Sequence, residues 1–423
     1  MDRRLLPPDG EEGRILSFAL AALLAGAAAL LGSLHGAPPG AARAPRERSE
    51  AALVADTAPR TGSHGQEARD LRADAAPAPR EAARRAIERG LAWLATAAAS
   101  SPDGSLPRVG ARDPAPVAVT ALGALAWMAG GNAPDRGPQG RELGLAIDWL
   151  VDHTDLDPRS ETYGYIALRG DGLSRMHGHG LAALALSQAA GASPKSERGA
   201  RIARALDAAI ACIERSQGVE GGWWYVPEKS LEHEGSITIC EVQALRAAHN
   251  AGFKVNPLTI ARALDYLARS QKPDGSFRYA LGDDHSTLAL TAAAVATLNA
   301  AGKYEGKSLE EAFGYLLRGL SARETWIEAH PNTPFEDRRL PEERDERHPW
   351  CSFYERLYLA QALWQHPDHD AYDRWAALET KAVLASQRED GSWHDERFGD
   401  AYATANDCLV LALPEGLLPI FQR

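Results

Sequence analysis

The amino-acid sequence predicts an all-helical ring of about six repeated helix pairs, extending from residue 80 to residue 423. Three observations predict it: a short loop motif recurs along the chain, helices with one charged face alternate with uncharged helices, and a glycine follows most of the uncharged helices. A helix with one wet face lies at a surface, whereas a helix that is apolar all round is buried on both sides. The alternation therefore predicts an outer and an inner wall.

The N-terminal region is predicted to lie outside this ring. Arg3, Arg4 and Arg14 lie in a predicted cytoplasmic N-terminus, residues 1–14, and residues 15–34 are uncharged and rich in Leu and Ala, which is just long enough to span a bilayer as a helix. A cleaved secretory signal is the alternative. Residues 35–79 carry few large apolar side chains and are predicted to be a disordered linker. We expect residues 80–423 to lie outside the cytoplasm, either anchored to the membrane or secreted.

Composition and charge exclude several classes of protein. The chain is 45% hydrophobic, so most of it can form a core, and its net charge of −11 provides no basic surface for nucleic acid. Its four cysteines lie far apart without a CxxC pair, so they predict neither a disulfide framework nor a zinc ribbon. We interpret them as small apolar side chains that fill space in the helix faces. In an oxidising compartment Cys351 and Cys408 could form a disulfide, because both are predicted to lie on neighbouring inner helices.

Four loops share one spacing, in which a polar residue is followed four positions later by Gly and six positions later by a large apolar residue. They are Ser100–Leu106, Gln217–Trp223, Gln271–Phe277 and Gln387–Trp393. The glycine permits a turn, the aromatic can pack onto the next unit, and the glutamine can satisfy open backbone groups at a helix end. The motif is therefore predicted to be structural, in a repeat of roughly 50–60 residues.

Each repeat is predicted to hold one outer and one inner helix. In the fourth repeat Arg262, Asp265 and Arg269 share the charged face of the outer helix, and the uncharged inner helix follows at 286–301. The other predicted pairs are 81–99 and 117–129, 141–152 and 179–190, 198–216 and 236–251, 309–320 and 352–365, and 372–386 and 403–413.

The loop pattern, clearest from Tyr266-Leu267 through Gln271 and Gly275 to Phe277, resembles the repeat of squalene/hopene cyclases and protein prenyltransferase β-subunits. Longer stretches such as Met176–Gly180 are similar to a membrane-tethered group of bacterial prenyltransferase/squalene-oxidase-repeat proteins. The resemblance implies an (α/α)6 toroid whose inner helices line a central cavity. In those enzymes the cavity holds an isoprenoid chain.

The catalytic motifs of these enzymes are incomplete here. Cyclases carry an Asp-x-Asp-Asp acid, whereas this chain has Leu281-Gly282-Asp283-Asp284, so Asp283 and Asp284 are either a reduced acid site or helix caps. By resemblance to the protein prenyltransferases, Cys351 stands at the position of a zinc ligand. A proline and an alanine stand where those enzymes have their other two zinc ligands, a carboxylate and a histidine. We therefore predict no metal and no cofactor.

Other polar residues fall on or beside the predicted inner wall. Asp407 lies within an apolar helix and is predicted to be either hydrogen-bonded across the cavity or catalytic. His177 and His179 lie in a predicted entry turn, where their imidazoles either cap helix ends or chelate a metal. The candidate ligand-binding residues are His177, His179, His285, Glu241, Cys351, Tyr354 and Tyr402.

Three functions are compatible with these residues. The first is a binding or scaffold protein that holds an apolar chain, such as an isoprenoid, or a peptide in the cavity without the standard catalytic sets. The second is a cyclase-like or metal-assisted enzyme that uses non-standard residues. The third is a structural part of an exported assembly, which the ordinary solvated outer faces favour least.

Overall fold

The computed structural model describes residues 77–107, 111–192, 195–330 and 352–421. Regular structure in these ranges is helical, with a few isolated β-bridges. The α-helices, numbered in chain order, are α1 Pro77–Ala98, α2 Pro116–Ala129, α3 Gly140–Asp152, α4 Arg175–Ala190, α5 Glu197–Ser216, α6 Gly235–Asn250, α7 Pro257–Ser270, α8 Leu288–Ala300, α9 Lys307–Ala329, α10 Ser352–Trp364, α11 His369–Ser386 and α12 Asp400–Ala412.

All six predicted helix pairs are present, which confirms the all-α prediction. The predicted apolar segment at 15–34 and the linker up to residue 76 lie outside the described residues. Among the helices just named, none combines the length and apolar character that crossing a bilayer requires. Two boundaries differ most from the prediction: α9 ends at Ala329 and not at residue 320, and α4 begins at Arg175 and not at residue 179. His177 and His179 therefore lie in the first turns of a helix and not in an entry turn.

The inner wall consists of the even-numbered helices. In α8 every residue except Leu290 is buried, and in α12 only Asp400 and Tyr402 are not. The outer helix α7 buries one face only, with Tyr266 and Leu267 inward and its charged residues outward. The predicted alternation of dry and wet helices is therefore confirmed, since apolar helices gain most from burial on both sides.

The ring closes on itself. Each inner helix packs against the inner helices before and after it, and α12 packs against α2 and also against α1. The Gln387 side chain in the last repeat donates to the Ala86 carbonyl in α1 at 2.9 Å. The buried apolar residues form two clusters, a large one that includes α2, α4 and α12 and a smaller one centred on α8.

The glutamines of the loop motif join consecutive repeats. Each amide donates to the carbonyl of its own loop glycine and to a backbone carbonyl in the next outer helix. Gln217 reaches Thr259 at 2.8 Å, and Gln271 reaches Ser308 at 2.8 Å. The glutamine therefore satisfies open backbone groups, as predicted, and it does so between units.

The loop glycine allows the backbone of one repeat to touch the next. Gly275 has φ +94°, and a Cβ there would lie 2.1 Å from the Glu311 carbonyl oxygen of α9. A fifth copy of the loop, which sequence reasoning missed, runs from Ser160 to Ile166 with the same spacing. At Gly164, φ is +85° and a Cβ would lie 1.9 Å from the Ala208 oxygen. Any side chain at either position would force the repeats apart.

Candidate functional site

A cavity of about 650 Å³ lies at the centre of the ring, at the end where the inner helices begin. We call this end the N-terminal rim. All six inner helices contribute residues from their first turns, so they all start at one rim. Its lining is mostly apolar and aromatic, represented by Val119, Leu181, Leu290, Leu357, Tyr402 and Phe398. Such a volume and lining are typical of small-molecule sites.

The cavity has a floor made by two helices that are not neighbours in the ring. Cys240 of α6 and Tyr358 of α10 approach each other across the centre, with Sγ and the hydroxyl oxygen 3.8 Å apart. One turn further along, Gln243 donates to Gln361 at 2.7 Å, and both side chains are buried. A ligand must therefore enter from the N-terminal rim.

A polar cluster occupies one side of the cavity, where α4 and α6 begin. Glu234 caps α6 and accepts hydrogen bonds from the backbone N–H of Ser236, at 2.5 Å, and from its hydroxyl group. The Ser236 oxygen also lies 2.7 Å from His177 Nε2. The Tyr225 hydroxyl lies 2.8 Å from the Tyr279 hydroxyl, and His177 Nε2 lies 3.6 Å from Glu234 Oε1.

The cluster is polar but carries little charge. Burial in the apolar cavity wall raises the pKa of Glu234 to about 7, although its hydrogen bonds oppose the shift. Burial, with a smaller contribution from nearby Arg175, lowers the pKa of His177 to about 4. Near neutral pH the cluster therefore contains a neutral imidazole beside a carboxyl group that retains its proton in part of the molecules.

Four of the predicted ligand-binding residues meet in this cavity: His177, His285, Tyr354 and Tyr402. They come from four different inner helices or their preceding loops, which is possible only because the helices share one rim. Glu355 also lines the cavity and forms an ion pair with Arg323 at 2.8 Å. Their role in binding stays a prediction.

Two predicted ligand-binding residues lie within the wall and not on the cavity. His179 is fully buried, and its Nδ1 accepts from the backbone N–H of Ile166 at 3.1 Å. Burial lowers its pKa to about 3. Glu241 is also fully buried, and neither carboxyl oxygen has a hydrogen-bond partner among the described residues. Burial raises its pKa well above the usual range.

The two aspartates matched to the cyclase acid do not line the cavity. Asp283 accepts a hydrogen bond from the His285 backbone N–H at 2.8 Å, which shapes the loop before α8. Asp284 is exposed and forms an ion pair with Arg278 at 3.4 Å. A proton donor to an apolar chain must face that chain, so this geometry favours the capping and loop interpretation.

Asp407 lies in the wall between α10 and α12, away from the cavity lining. It is 1% exposed and forms an ion pair with Arg356, which also pairs with Glu379 of α11 at 2.7 Å. Burial raises the pKa of Asp407 to about 6, while the neighbouring guanidinium opposes the shift. This arrangement supports the structural alternative for Asp407.

Cys351 lies outside the described residues, so its predicted contact with a ligand or with Cys408 lies outside them as well. Cys408 is a buried free thiol. Within the described ranges no cluster of three or more His, Cys, Asp or Glu side chains is arranged to hold a metal ion.

Sequence reasoning missed Glu234 and Arg175, which both line the cavity. Glu234 immediately precedes the inner helix α6. In the fourth repeat, Asp283 and Asp284 were candidates because they lie just before the predicted inner helix. Examining the residue before every inner helix would have found Glu234. Arg175 gave no such signal, because an arginine at a helix start is ordinary.

Comparison with known proteins supports the fold. The sequence matches no protein-family model and no curated protein. Among solved structures, a variant of the type II terpene cyclase MstE from Scytonema, in complex with its product merosterolic acid A, superposes with a TM-score of 0.51. The match covers 81% of this chain and 99% of MstE at 17% identity. The chain has the α/α-toroid fold of the terpene cyclases.

A second MstE structure, with the substrate geranylgeranyl dihydroxybenzoate, covers the same shares of both chains at 17% identity and a TM-score of 0.48. At this identity the comparison establishes the fold alone. The toroid predicted from the loop motif is therefore confirmed, and the chemistry must be argued from the residues of this chain.

Proposed function

We propose that this protein binds one apolar chain of the isoprenoid class in its central cavity. The observation that carries the proposal is the cavity itself, a pocket of about 650 Å³ with mostly apolar walls, a closed floor and one polar cluster. Burial of an apolar chain against such walls is favourable in proportion to the area removed from water. The product-bound terpene cyclase of the same fold supports an isoprenoid over other apolar chains.

We further propose that binding takes place outside the cytoplasm, as part of a binding or scaffold role. The support is the three arginines Arg3, Arg4 and Arg14 that precede the uncharged segment 15–34. Protease added to intact cells, or to spheroplasts if the cells have an outer membrane, should degrade residues 80–423. Protection from protease until the cells are lysed would contradict this location.

Binding can be tested with farnesol, a neutral isoprenoid alcohol, and the purified full-length protein. Leu181 lines the cavity, so Leu181→Trp should fill part of it and weaken farnesol binding by about tenfold or more. Leu258 is 59% exposed on the outer helix α7, so Leu258→Trp is the matched control and should leave binding unchanged.

The measurement is equilibrium binding, with thermal unfolding to show that both variants fold. Saturable binding that Leu181→Trp removes and Leu258→Trp preserves would support the proposal. Absence of saturable binding by the wild-type protein, or equal binding by both variants, would reject the cavity as the site.

A second candidate function is proton-initiated cyclisation of the bound chain, and Glu234 is the specific observation that favours it. A general acid must retain its proton at the working pH and face the reacting group. Glu234 lines the cavity, and its pKa of about 7 keeps a substantial fraction protonated at neutral pH. In this reaction the carboxyl proton adds to an alkene carbon, and the resulting cation later loses a different proton to a base.

Deuterium labelling distinguishes cyclisation from simple binding. The full-length protein incubated with a linear polyprenol in D₂O should yield a cyclic isomer that carries deuterium, detected by mass spectrometry. Glu234→Gln keeps the shape of the side chain but has no acidic proton, so the labelled product should disappear while farnesol binding persists. Recovery of unlabelled linear polyprenol from the wild type would reject this second function.

A further inference from the structure

Arg175, the first residue of α4, lies at the cavity in an unfavourable backbone conformation. Its φ of 47° falls in the left-handed region, and only one other non-glycine residue in the described ranges, Asp135, has a positive φ. A long side chain in this region is strained and persists only where the surroundings fix it. Such positions are often found at binding sites.

Three contacts hold the start of α4 and the Arg175 side chain in place. The backbone N–H of the next residue, Met176, donates to the Tyr225 carbonyl at 3.3 Å, which ties the start of α4 to the loop that carries Tyr225. The Arg175 Nε donates to the Gly172 carbonyl at 2.7 Å, and the guanidinium carbon lies 5.0 Å from the centre of the Tyr225 ring. The guanidinium is therefore oriented before any ligand binds.

The other charged residues of the cavity are paired or can be neutral. Arg397 forms an ion pair with Asp113 at 3.2 Å, and Glu355 is paired with Arg323. Burial favours the protonated form of Glu234, and this residue forms no ion pair with Arg175. Among the described carboxylates, none lies within ion-pair distance of Arg175, and its side chain is exposed, so it gives the cavity an accessible positive charge that no carboxylate pairs.

We propose that Arg175 binds the carboxylate end of the apolar chain held in the cavity, so that the ligand is a terpenoid or similar apolar acid. This inference rests on the proposed binding function. A guanidinium group matches a carboxylate with two parallel hydrogen bonds. A single uncompensated cation balances one negative charge, which favours a carboxylate over a diphosphate with its several charges.

The test compares farnesoic acid with its uncharged methyl ester, using equilibrium binding to the full-length protein. The wild type should bind the acid about tenfold or more tightly than the ester. Arg175→Gln should weaken binding of the acid by about tenfold or more and binding of the ester by less than about twofold. Arg169→Gln removes an exposed arginine of the same loop that does not line the cavity, and it should change neither affinity.

Arg175→Gly keeps the test informative if the glutamine variant does not fold. Glycine adopts a φ of 47° without strain, so this variant should unfold at the wild-type temperature or higher while losing the preference for the acid. If Arg175 only shapes the protein, Arg175→Gly will keep the preference, and that result would overturn the inference.

Three further outcomes are decisive. Tighter binding of farnesyl diphosphate than of farnesoic acid by the wild type would overturn the assignment of a carboxylate. Binding of the ester with no preference for the acid would overturn the role of Arg175 while leaving the binding function intact. Failure to bind either compound would reject both proposals.

Discussion

Two walls of the ring bury carboxyl groups in different ways. In the wall between α10 and α12, Asp407 forms an ion pair with Arg356, which also pairs with Glu379. In the wall between α4 and α6, Glu234 and Glu241 are fully buried, and neither has a lysine or arginine partner among the described residues. The first wall keeps its acid charged by supplying a cation, whereas the second favours the protonated form.

The difference between the two walls indicates which buried acids can be chemically active. Burial penalises the charged form of any carboxyl group, and a nearby cation offsets the penalty. Asp407 has that cation and faces away from the cavity, so its ion pair holds α10 to α12. Glu234 lacks the cation and lines the cavity, so its proton is available to a ligand. The presence of a cationic partner therefore separates the structural acid from the candidate functional one.

The largest expected effect comes from breaking the ion pair of the first wall. Arg356→Met should lower the free energy of unfolding by about 3–5 kcal/mol, because it leaves Asp407 buried without its cation. Chemical denaturation at pH 8 measures the loss. At pH 5 the loss should be smaller, because Asp407, whose pKa is already raised to about 6, can then take up a proton.

The matched control for Arg356→Met removes both charges. Arg356→Met combined with Asp407→Leu replaces the ion pair with apolar side chains, and such replacements are often neutral. The double variant should therefore recover most of the lost stability. If it is no more stable than Arg356→Met alone, the loss does not come from the unpaired carboxylate.

The second wall should make stability depend on pH in a predictable direction. Burial raises the pKa of Glu234 from 4.5 to about 7, so between these values the folded protein keeps a proton that the unfolded chain releases. The stabilisation is complete below pH 4.5 and is lost as the pH rises through about 7. Relative to Glu234→Gln, the wild type should lose about 3 kcal/mol across this range.

Denaturation of both proteins at pH 4.5 and pH 8 measures this difference. Glu241→Gln should change the pH dependence in the same direction, because burial raises the pKa of Glu241 as well. Parallel stability curves for the wild type and Glu234→Gln would show that Glu234 ionises normally. In that case the contrast between the two walls would be wrong.

The helices of this ring could be predicted from sequence because their signal is local. Arg262, Asp265 and Arg269 recur at helical spacing on one face of α7, and the uncharged inner helix α8 follows the Asp274-Gly275 turn. The spacing between copies of the loop motif predicted the repeat length. The fifth loop, Ser160–Ile166, was missed because Tyr163 replaces the acidic residue that precedes the glycine in the other four loops.

The candidate site was harder to predict because its residues meet only in three dimensions. Arg356 and Asp407 lie on different helices, so no local pattern links them, and Asp407 alone could not be assigned. The same holds for Glu234 and His177, which meet at Ser236. Sequence could place His177 and His285 near one rim because both lie at or just before the start of an inner helix.

The smallest expected effect tests which carboxylate stabilises the first wall. Glu379→Gln keeps an oxygen that can accept a hydrogen bond from Arg356 but removes the negative charge. Because Glu379 is partly exposed, solvent screens its ion pair with Arg356. The free energy of unfolding should fall by about 1 kcal/mol or less, measured by denaturation at pH 8. A loss as large as that of Arg356→Met would mean that Glu379, and not Asp407, is the principal counter-ion. Asp407 would then be an unpaired buried acid like Glu234, and the two walls would no longer differ.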